Sequence, residues 1–332
     1  MNRRRGVMIL AELQKDRLAG ISAELVTAGL KIAGQLGEEL SALLIGENTG
    51  NRAQELICLG VHKVYVVDNP VFSCYRFEPY LELIARICQE IQPNVFLMGH
   101  TEVGQDLGPR LAFRLNTGFV PNCVELGVAP ESGLLQMTRP VYGGKAHGLY
   151  MVNNGGLQIA TVAPKVFEAA LREDSRQGKI TLLPWENEAT SFKIQVVERV
   201  ETESAGVRLE DATVIVSGGR GVGSAEDFAG LKELADTLGG SIGASRVAVD
   251  NNWVPNILQV GLTGKVVKPN VYIAIGISGS LQHMAGCSTA KTIIAINRDP
   301  EAQIFKMAHF GVVADWREIL PPLIEKCKAL SE

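Results

Sequence analysis

Residues 213–221 read TVIVSGGRG, an apolar β-branched run that stops at glycines and an arginine. A buried strand that ends in a glycine turn and precedes a helical pattern, here at 225–238, is typical of a strand-helix unit in a parallel sheet. The alternation continues to the end of the chain, which predicts a second doubly wound α/β domain. Its further predicted strands are residues 241–245, ILQVG at 257–261, VYIAIG at 271–276, TIIAIN at 292–297 and GVVAD at 311–315, and its further helices are one from 280, one around 302–308 and 316–330.

The first part of the chain shows the same alternation over residues 6–118, which predicts a parallel sheet covered by helices. Its strand-like runs are GVMILAEL, LSALLIG, KVYVV and NVFLMG, and its helical patterns lie at 19–36, 53–60, 80–92 and 106–115. Between residues 123 and 200 the pattern becomes β-rich, with one helix expected near 166–172. The β-rich segments LLQMTRPVY, GLYMVNN, LQIATVAP and FKIQVVERV are expected to complete or flank the first domain.

Residues 201–212, ETESAGVRLEDA, are polar and lack periodicity, so they are predicted to form a linker. We place the domain boundary near residue 205, between an N-terminal domain of residues 1–205 and a C-terminal domain of 206–332. The predicted fold class is α/β, with two domains that each contain a mostly parallel sheet flanked by helices. The C-terminal domain is predicted to be Rossmann-like.

The composition excludes several classes of protein. The chain has 332 residues, 46% hydrophobic residues and a net charge of -4, so it lacks the basic footprint expected for nucleic-acid binding. The basic N-terminus is followed by too short an apolar stretch for a signal peptide. The sequence contains no run of 18 or more apolar residues, so membrane insertion is not expected. The six cysteines show no metal-ligand spacing. We expect a cytoplasmic protein without a metal site.

Polar residues and glycines follow the predicted strands of the C-terminal domain. In open parallel sheets, ligands bind beyond the carboxyl ends of the strands, so these residues predict one extended ligand crevice. Several of them also suit helix caps. Arginine and histidine are not preferred N-cap residues, so ligand contact is favoured for Arg220, Arg246 and His283. The residues concerned are Gly218, Gly219, Arg220, Gly221, Ser245, Arg246, Thr263, Ser278, Gln282, His283, Asn297 and Asp315.

Common nucleotide and catalytic motifs fit this chain poorly. In GGRGVGS, Ser224 stands where a GxGxxG fingerprint needs its third glycine, and GLTGKV has neither the spacing nor the hydroxyl residue of a P-loop. No GxSxG elbow and no HExxH is present. A standard NAD site, an ATPase and a hydrolase are therefore disfavoured.

The motifs SGGRG, GASRVAVDNNWVPN, QVGLTGK, YIAIGISGSLQHMAG, IIAINRDPEAQIF and FGVVAD closely resemble, in order and spacing, the α subunit of electron transfer flavoproteins. The closest agreement spans residues 213–320, and FLMGHTEVGQDLGPRLAFRLNTGFVPNC and RPVYGGKAHG resemble that family's first domain. The resemblance implies that the C-terminal domain binds FAD. The contacts it implies, carried over motif by motif, are Arg220, Ser245, Arg246, Val260, Gly261, Leu262, Thr263, Ser278, Gly279, Ser280, Leu281, Gln282, His283, Asn297, Asp315 and Trp316.

Among these residues, the resemblance gives Arg246, Thr263 and His283 the role of tuning the flavin ring, with Thr263 near N5. Arg220, Ser278 and loop amides would meet the pyrophosphate and ribityl groups, and Asn297 and Asp315 the adenosine end. Two positions depart from the family pattern. Leu262 replaces the usual glutamine of QVGQTG and offers only its backbone, and His309 stands where relatives often have an acidic residue, so we interpret it as a surface or interface residue.

The resemblance further implies an electron carrier that is not a self-sufficient enzyme. It would form a heterodimer with a β subunit that carries AMP or, in electron-bifurcating members, a second FAD. It would exchange electrons with acyl-CoA dehydrogenase-type flavoenzymes, and the N-terminal domain would form the subunit interface. Whether the complex bifurcates electrons stays open. The alternatives are an NAD-dependent oxidoreductase, which should show the missing glycine fingerprint, and a non-redox adenine-nucleotide-binding module, which should be colourless.

Overall fold

A computed structural model describes residues 4–14, 17–144, 146–185, 192–194, 196–198 and 207–331. Contacts within the chain separate it into two compact units, Met1–Glu198 and Arg199–Glu332. The predicted boundary at residue 205 lies outside the described residues and stays a prediction. The end of the predicted linker, residues 207–212, is packed rather than open, because Leu209 and Ala212 are buried in the core of the second unit.

The first unit alternates strands and helices as the sequence predicts, and then adds β-rich segments. Helix α1 ends where Gly37 takes a left-handed conformation and its N–H caps the last turn. Helix α4 begins at Thr101, whose hydroxyl accepts from the Gly104 N–H. The elements are β1 Val7–Ala11, β2 Leu13–Gln14, β3 Arg17–Leu18, α1 Gly20–Leu36, β4 Leu40–Gly46, α2 Arg52–Leu59, β5 Lys63–Asp68, α3 Phe77–Ile91, β6 Val95–Gly99, α4 Glu102–Arg114, β7 Phe119–Cys123, β8 Glu125–Val128, β9 Leu135–Val141, β10 Ala146–Tyr150, β11 Gln158–Val162 and β12 Lys179–Leu182.

Within the described residues, the main sheet of this unit has seven parallel strands in the order β12-β5-β4-β1-β6-β11-β7. Strands β1, β6 and β11 are buried at every position, as expected for central strands covered on both faces. Two hydrophobic clusters, one on each face, form the core. Strands β8, β9 and β10 form a separate antiparallel sheet, which confirms that the β-rich segments flank the parallel sheet.

Three expectations for this unit are wrong. Residues 166–172 form no helix, because the segment is tied to α1 by the bond from Ala170 N–H to the Ala23 carbonyl. The described part of FKIQVVERV is not a strand, and its remaining residues lie outside the described part of the chain. Strand β12 was missed because it is a largely exposed edge strand without an apolar run.

The second unit contains shorter elements around a second parallel sheet. The predicted helix around 302–308 is a short 3₁₀ turn at Gln303–Lys306. The predicted helix from residue 280 is a single turn capped by Ser280. The elements are β13 Val214–Gly218, α5 Phe228–Thr237, β14 Ser241–Ala244, α6 Arg246–Asp250, β15 Val271–Ile275, α7 Leu281–Met284, β16 Thr292–Asn297, β17 Phe310–Val313 and α8 Trp316–Ser331.

As far as the chain is described, this sheet has five parallel strands in the order β14-β13-β15-β16-β17. Hydrophobic clusters cover both of its faces. The predicted strand ILQVG is wrong: Asn256–Leu258 is a 3₁₀ turn, and Gln259 makes only an isolated bridge to Ala244. The two-domain α/β fold is otherwise confirmed. No helix in the described part of the chain is long and apolar enough to cross a membrane.

Candidate functional site

The strand order of the second unit creates a switch point between β13 and β15. The chain runs from β13 to β14 on one side of β13 and then crosses to β15 on the other side. The strand ends are level there, since Gly218 pairs with Ala244 on one side and with Ile275 on the other. Crevices for ligands in open α/β sheets form at this position, beyond the carboxyl ends of the strands.

Glycines let the two loops at the switch point cross in direct backbone contact. A Cβ placed on Gly219 would lie 2.3 Å from the Gly276 carbonyl oxygen, and one on Gly221 would lie 2.9 Å from Gly276 Cα. The Gly219 N–H donates to the Ile275 carbonyl and the Gly221 N–H to the Gly276 carbonyl. We call this contact of Gly219, Gly221 and Gly276 the glycine crossing. It presents backbone without side chains to the crevice.

Hydrogen bonds join the other loops of this edge to the crossing. The Ser245 N–H donates to the Gly218 carbonyl at 2.9 Å. Asn297 Nδ2 donates to the Ile277 carbonyl at 2.9 Å, and Trp316 Nε1 donates to the Gly221 carbonyl at 3.2 Å. The ends of β13, β14, β15 and β16 and the start of α8 therefore form one connected edge.

A second loop, residues 259–265, closes beside helix α7. The Lys265 N–H donates to the Gln259 carbonyl, and the Leu262 N–H donates to the Gln282 carbonyl at 2.7 Å. Gly261 has φ +144 and packs against the α7 backbone, which a side chain would not permit. The backbone of Leu262 makes this contact and its side chain is exposed, while its predicted place beside the flavin stays a prediction.

His283 of α7 is buried against Tyr272 of β15. Its Nε2 lies 2.9 Å from the Tyr272 hydroxyl, and its Nδ1 is buried with no hydrogen-bond partner among the described residues. Burial lowers the pKa of His283 to about 4, although the Val260 backbone nearby opposes the shift, so the imidazole is neutral at pH 7. The Val260 backbone is the acceptor that the chain itself offers to the ring, and Nδ1 makes no closer hydrogen bond within the described residues.

Two further predicted residues lie near the start of α6. The hydroxyl of Ser245 is buried and makes no hydrogen bond within the described part of the chain, although the residue occupies the N-cap position. Arg246 is largely exposed and pairs with Asp250 at 3.3 Å on the same helix. An exposed pair of this kind contributes little, about 0–1 kcal/mol, so the Arg246 side chain can change partner easily.

The remaining predicted residues have internal contacts or lie open. Thr263 Oγ1 accepts from Gln259 Nε2 at 3.0 Å, and Asp315 Oδ1 accepts from the Arg317 N–H. Arg220 is exposed and makes no ion pair with any described residue. His309, which the sequence assigns to the surface, is exposed, and its Nδ1 accepts from the Ile293 N–H.

Sequence reasoning missed residues that support the site from behind. Tyr272 is fully buried and reaches His283, and Gln259 reaches Thr263. Arg317 stacks on Trp316 and bonds to Asp227 and to the Val222 carbonyl. A signal existed only for Tyr272, because a tyrosine inside a buried strand needs a partner for its hydroxyl.

Two family models match this chain. Residues 7–186 match the electron transfer flavoprotein domain, and residues 208–288 match the electron transfer flavoprotein FAD-binding domain. The chain belongs to the electron transfer flavoprotein family. The second match includes the glycine crossing, the loop 259–265 and His283.

Named relatives match the sequence of this electron transfer flavoprotein over almost its whole length. It is 42% identical to the electron transfer flavoprotein subunit alpha of Thermoanaerobacterium thermosaccharolyticum, over 99% of this chain and 100% of the relative. It is 41% identical to the alpha subunit of Megasphaera elsdenii, over 98% and 96%. It is also 35% identical to the lactate dehydrogenase (NAD(+),ferredoxin) subunit LctC of Acetobacterium woodii, over 96% and 76%.

The family fixes the role of the chain in outline: it is an electron transfer flavoprotein of the α-subunit type, and a β subunit is its partner. Its second unit carries the flavin-binding domain. The residues at the carboxyl edge of that unit fit a flavin, because Ser245 Oγ and His283 Nδ1 are buried polar atoms that make no close hydrogen bond within the described residues. The side chains of Arg220 and Arg246 add positive charge at the same edge.

Proposed function

We propose that the second unit binds one FAD along the carboxyl edge of β13–β17, through the residues predicted from the sequence. The observation that supports this most directly is the glycine crossing at the switch point, in a unit that also holds two buried polar atoms, Ser245 Oγ and His283 Nδ1, with no close hydrogen bond among the described residues. The proposed contacts are Arg220, Ser245, Arg246, Val260, Gly261, Leu262, Thr263, Ser278, Gly279, Ser280, Leu281, Gln282, His283, Asn297, Asp315 and Trp316.

The pyrophosphate would lie at the glycine crossing. Backbone without Cβ atoms lets a phosphate approach closely, and because the N–H groups of Gly219, Gly221 and Gly276 donate within the chain, positive charge would hold the phosphate there. Arg220 begins the 3₁₀ turn directly after Gly219 and is exposed, so its guanidinium can reach a phosphate. Ser278 is exposed and its backbone carbonyl is fixed by the Ile304 N–H at 3.0 Å, which leaves its hydroxyl for the ligand.

The ring end would lie near α6, the loop 259–265 and α7. A bound flavin supplies the redox chemistry, while the protein sets its potential and its exposure. Arg246 places a positive charge that favours the negatively charged reduced ring. His283 is neutral and acts as a hydrogen-bonding group, and Thr263 offers a hydroxyl whose position Gln259 fixes.

The adenosine end would lie near the ends of β16 and β17. Asn297 is held by its bond to the Ile277 carbonyl, and its Oδ1 accepts from the Asp299 N–H. Asp315 is partly buried, and Arg317 limits its rotation. Trp316 is buried and its Nε1 donates to the Gly221 carbonyl, so its main role would be to hold the loop after β13 in position.

The wider assembly is also part of the proposal. The β-subunit partner would carry AMP or a second FAD, and the first unit would provide the subunit interface. Acyl-CoA dehydrogenase-type flavoenzymes would exchange electrons with the complex in the cytoplasm. The similarity to a subunit of an NAD(+),ferredoxin lactate dehydrogenase supports testing for electron bifurcation as well.

The test is to co-express the chain with its β subunit, record the visible spectrum, and quantify released FAD per heterodimer. One FAD is expected for a plain electron carrier and two for a bifurcating complex. Gly219→Ala in this chain should weaken the binding of one equivalent, which assigns that flavin to the second unit. A colourless complex after reconstitution with excess FAD would contradict the proposal, and binding of AMP or ATP alone would favour a non-redox nucleotide module.

Reduction by an acyl-CoA dehydrogenase with its substrate tests the proposed electron donor. Bleaching of the flavin spectrum at catalytic amounts of the dehydrogenase is expected. The matched control is the same mixture without the acyl-CoA substrate. Absence of bleaching with several such dehydrogenases, in a complex that dithionite reduces, would remove this class of partner from the proposal.

A further inference from the structure

Tyr272 is a polar residue in the most buried layer of the second unit. It is the second residue of β15, is 0% exposed, and packs in the same cluster as Ala274, Met284 and Cys287. A phenylalanine would fill this place in a hydrophobic core with no polar atom to satisfy. The presence of a hydroxyl at this buried position therefore needs an explanation, and its contact at 2.9 Å with His283 Nε2 provides one.

The direction of this hydrogen bond decides which nitrogen of His283 carries the proton. Burial raises the pKa of Tyr272 well above its ordinary value, so the phenol always keeps its proton. The neutral imidazole has one N–H and one acceptor nitrogen. Either the phenol donates to Nε2 and Nδ1 carries the ring proton, or Nε2 donates to the phenol and Nδ1 is the acceptor.

The surroundings of the phenol favour the first arrangement. Ser217 and Cys287 also lie near the Tyr272 hydroxyl. A thiol sulfur is a weak acceptor, and the Cys287 thiol already donates to the His283 carbonyl. The Ser217 hydroxyl makes no hydrogen bond among the described residues. The imidazole nitrogen is thus the strongest acceptor within reach of the phenol proton.

The backbone holds the ring in place for this contact. The His283 N–H donates to the Ser280 hydroxyl at 3.5 Å, and the His283 carbonyl accepts from the Gly286 N–H at 2.9 Å. These bonds fix the backbone of His283, and because the side chain is buried, the ring can change little except its tautomer or a flip about its last bond. A hydrogen bond to Nε2 opposes both changes.

We propose that Tyr272 is a positioning residue for the flavin site: its hydroxyl donates to Nε2 of His283 and so keeps the ring proton on Nδ1. Nδ1 is then a permanent donor, suited to an acceptor oxygen of the ring system. The inference rests on the proposed flavin site for its functional part, because a role in tuning the flavin requires the bound ligand. Its structural part, the tautomer, stands without the ligand.

The first test reads the tautomer in the α/β complex labelled with ¹⁵N-histidine, before and after FAD is added. The chain has five histidines, and His283→Gln identifies the signals of His283. We expect Nδ1 protonated and Nε2 unprotonated in both samples, and a mixture in Tyr272→Phe. A wild-type ring protonated on Nε2 would overturn the inference.

The second test compares the dissociation constants of oxidised and reduced FAD for wild type, Tyr272→Phe and the control Ile293→Val, which removes a methyl group from the same cluster. We expect Tyr272→Phe to change their ratio by about threefold or more, equivalent to roughly 14 mV for a two-electron couple, and Ile293→Val to leave it unchanged. In a His283→Gln background the effect of Tyr272→Phe should vanish, since it acts through the histidine.

The two tests separate the two failures. An unchanged ratio in a folded Tyr272→Phe complex that still binds FAD would overturn the positioning role while leaving the flavin site intact. Equal weakening of both dissociation constants by Tyr272→Phe and by Ile293→Val would indicate a packing role only, and would also overturn it. If no FAD binds to the wild-type complex, the proposed function fails, yet the tautomer measurement on the ligand-free complex still decides the structural part.

Discussion

The two units have the same kind of sheet but fill their switch points differently. In the first unit the switch point lies between β1 and β6, and a Cβ on Gly99 would lie 2.6 Å from the Ile21 side chain and 2.9 Å from Glu12 Oε1. In the second unit a Cβ on Gly219 would instead meet backbone, at Gly276. Side chains close the first switch point, whereas the second has only main chain there.

This difference shows how one architecture can carry a ligand in one unit and be closed in another. Glu12 in the first unit is partly buried and accepts from the Thr101 hydroxyl at 2.9 Å. Burial raises its pKa to about 7, so it is partly protonated at neutral pH. A fold does not determine function; the residues at the strand ends do.

The largest expected effect is an opposite pH dependence of the two units. Glu12, with its pKa raised to about 7, stabilises the first unit below pH 4.5, and this contribution is lost as pH rises through 7. His283, with its pKa lowered to about 4, contributes stability above pH 6.5 that is lost as pH falls through 4. Each contribution amounts to about 3 kcal/mol. Unfolding in urea at several pH values, monitored by hydrogen exchange in each unit, measures the pH dependence of the free energy of unfolding of both units.

Variants isolate the two groups in that experiment. Glu12→Gln should remove the slope between pH 4.5 and 7 in the first unit and leave the second unit unaffected. The control Glu131→Gln alters an exposed carboxylate of the same unit and should change nothing. Slopes of the same sign in both units would contradict the contrast drawn above.

The next effect concerns the glycine crossing. Gly219→Ala forces a methyl group against the Gly276 carbonyl, so we expect a loss of about 1–3 kcal/mol in stability of the second unit. FAD affinity should fall by at least about tenfold, or roughly 1.4 kcal/mol. Gly34→Ala is the control, since this exposed site in α1 has no atom within 4 Å of the new Cβ. Unchanged FAD affinity in Gly219→Ala would place the ligand elsewhere.

A smaller effect is expected from the charge of Arg246. Its side chain is largely exposed, so the interaction with a reduced flavin ring about 4 Å away is screened to about 1 kcal/mol, or roughly 40 mV for one electron. Arg246→Gln should lower the potential by that amount, and less in high salt. Lys232→Gln removes an exposed positive charge that pairs with Asp236 on α5, and it should leave the potential unchanged. Equal shifts from both variants would mean that only net charge matters.

The smallest expected effect comes from removing one buried hydroxyl in each unit and comparing the change in FAD binding. Ser245→Ala removes a buried hydroxyl without a described partner, so ligand-free stability should stay the same or rise slightly, while FAD binding weakens by about 0.5–1.5 kcal/mol. Thr181→Val removes a similarly buried hydroxyl in the first unit and should leave FAD binding unchanged. Calorimetric titration with FAD measures both. A destabilised Ser245→Ala with unchanged affinity would make Ser245 a structural residue only.

The sequence predicted the central strands well because these are apolar runs bounded by turn residues. Strands β1, β6, β13 and β15 are buried on both faces, so nothing competes with the periodic signal. ILQVG misled because a short apolar run suits any buried segment. Its Val260 is indeed buried and its N–H bonds to the Ala244 carbonyl, but Pro255 and Gly261 limit the segment to a bridge.

The sequence predicts the residues of the candidate site that follow the strand ends, but it does not predict the residues behind them that hold these side chains in place. Arg220, Arg246 and His283 stood out because they are not cap residues, and strand ends gather at one edge in any parallel sheet. Tyr272 and Gln259 lie away from each other in sequence and act on the site through His283 and Thr263. No sequence signal identifies the partner in either contact, because Gln259 reaches Thr263 only through the irregular shape of the loop 259–265, and Tyr272 reaches His283 only after the chain turns from β15 into α7.

The glycine crossing also has a consequence for binding entropy. Association usually costs about 0.5–1.5 kcal/mol for each flexible side chain that is immobilised at an interface. At Gly219, Gly221 and Gly276 there is no side chain to immobilise, and the backbone is already fixed by the bonds to the Ile275 and Gly276 carbonyls. A ligand seated there meets a surface that lost its freedom during folding, so its affinity at that point is set by contact and charge rather than by ordering.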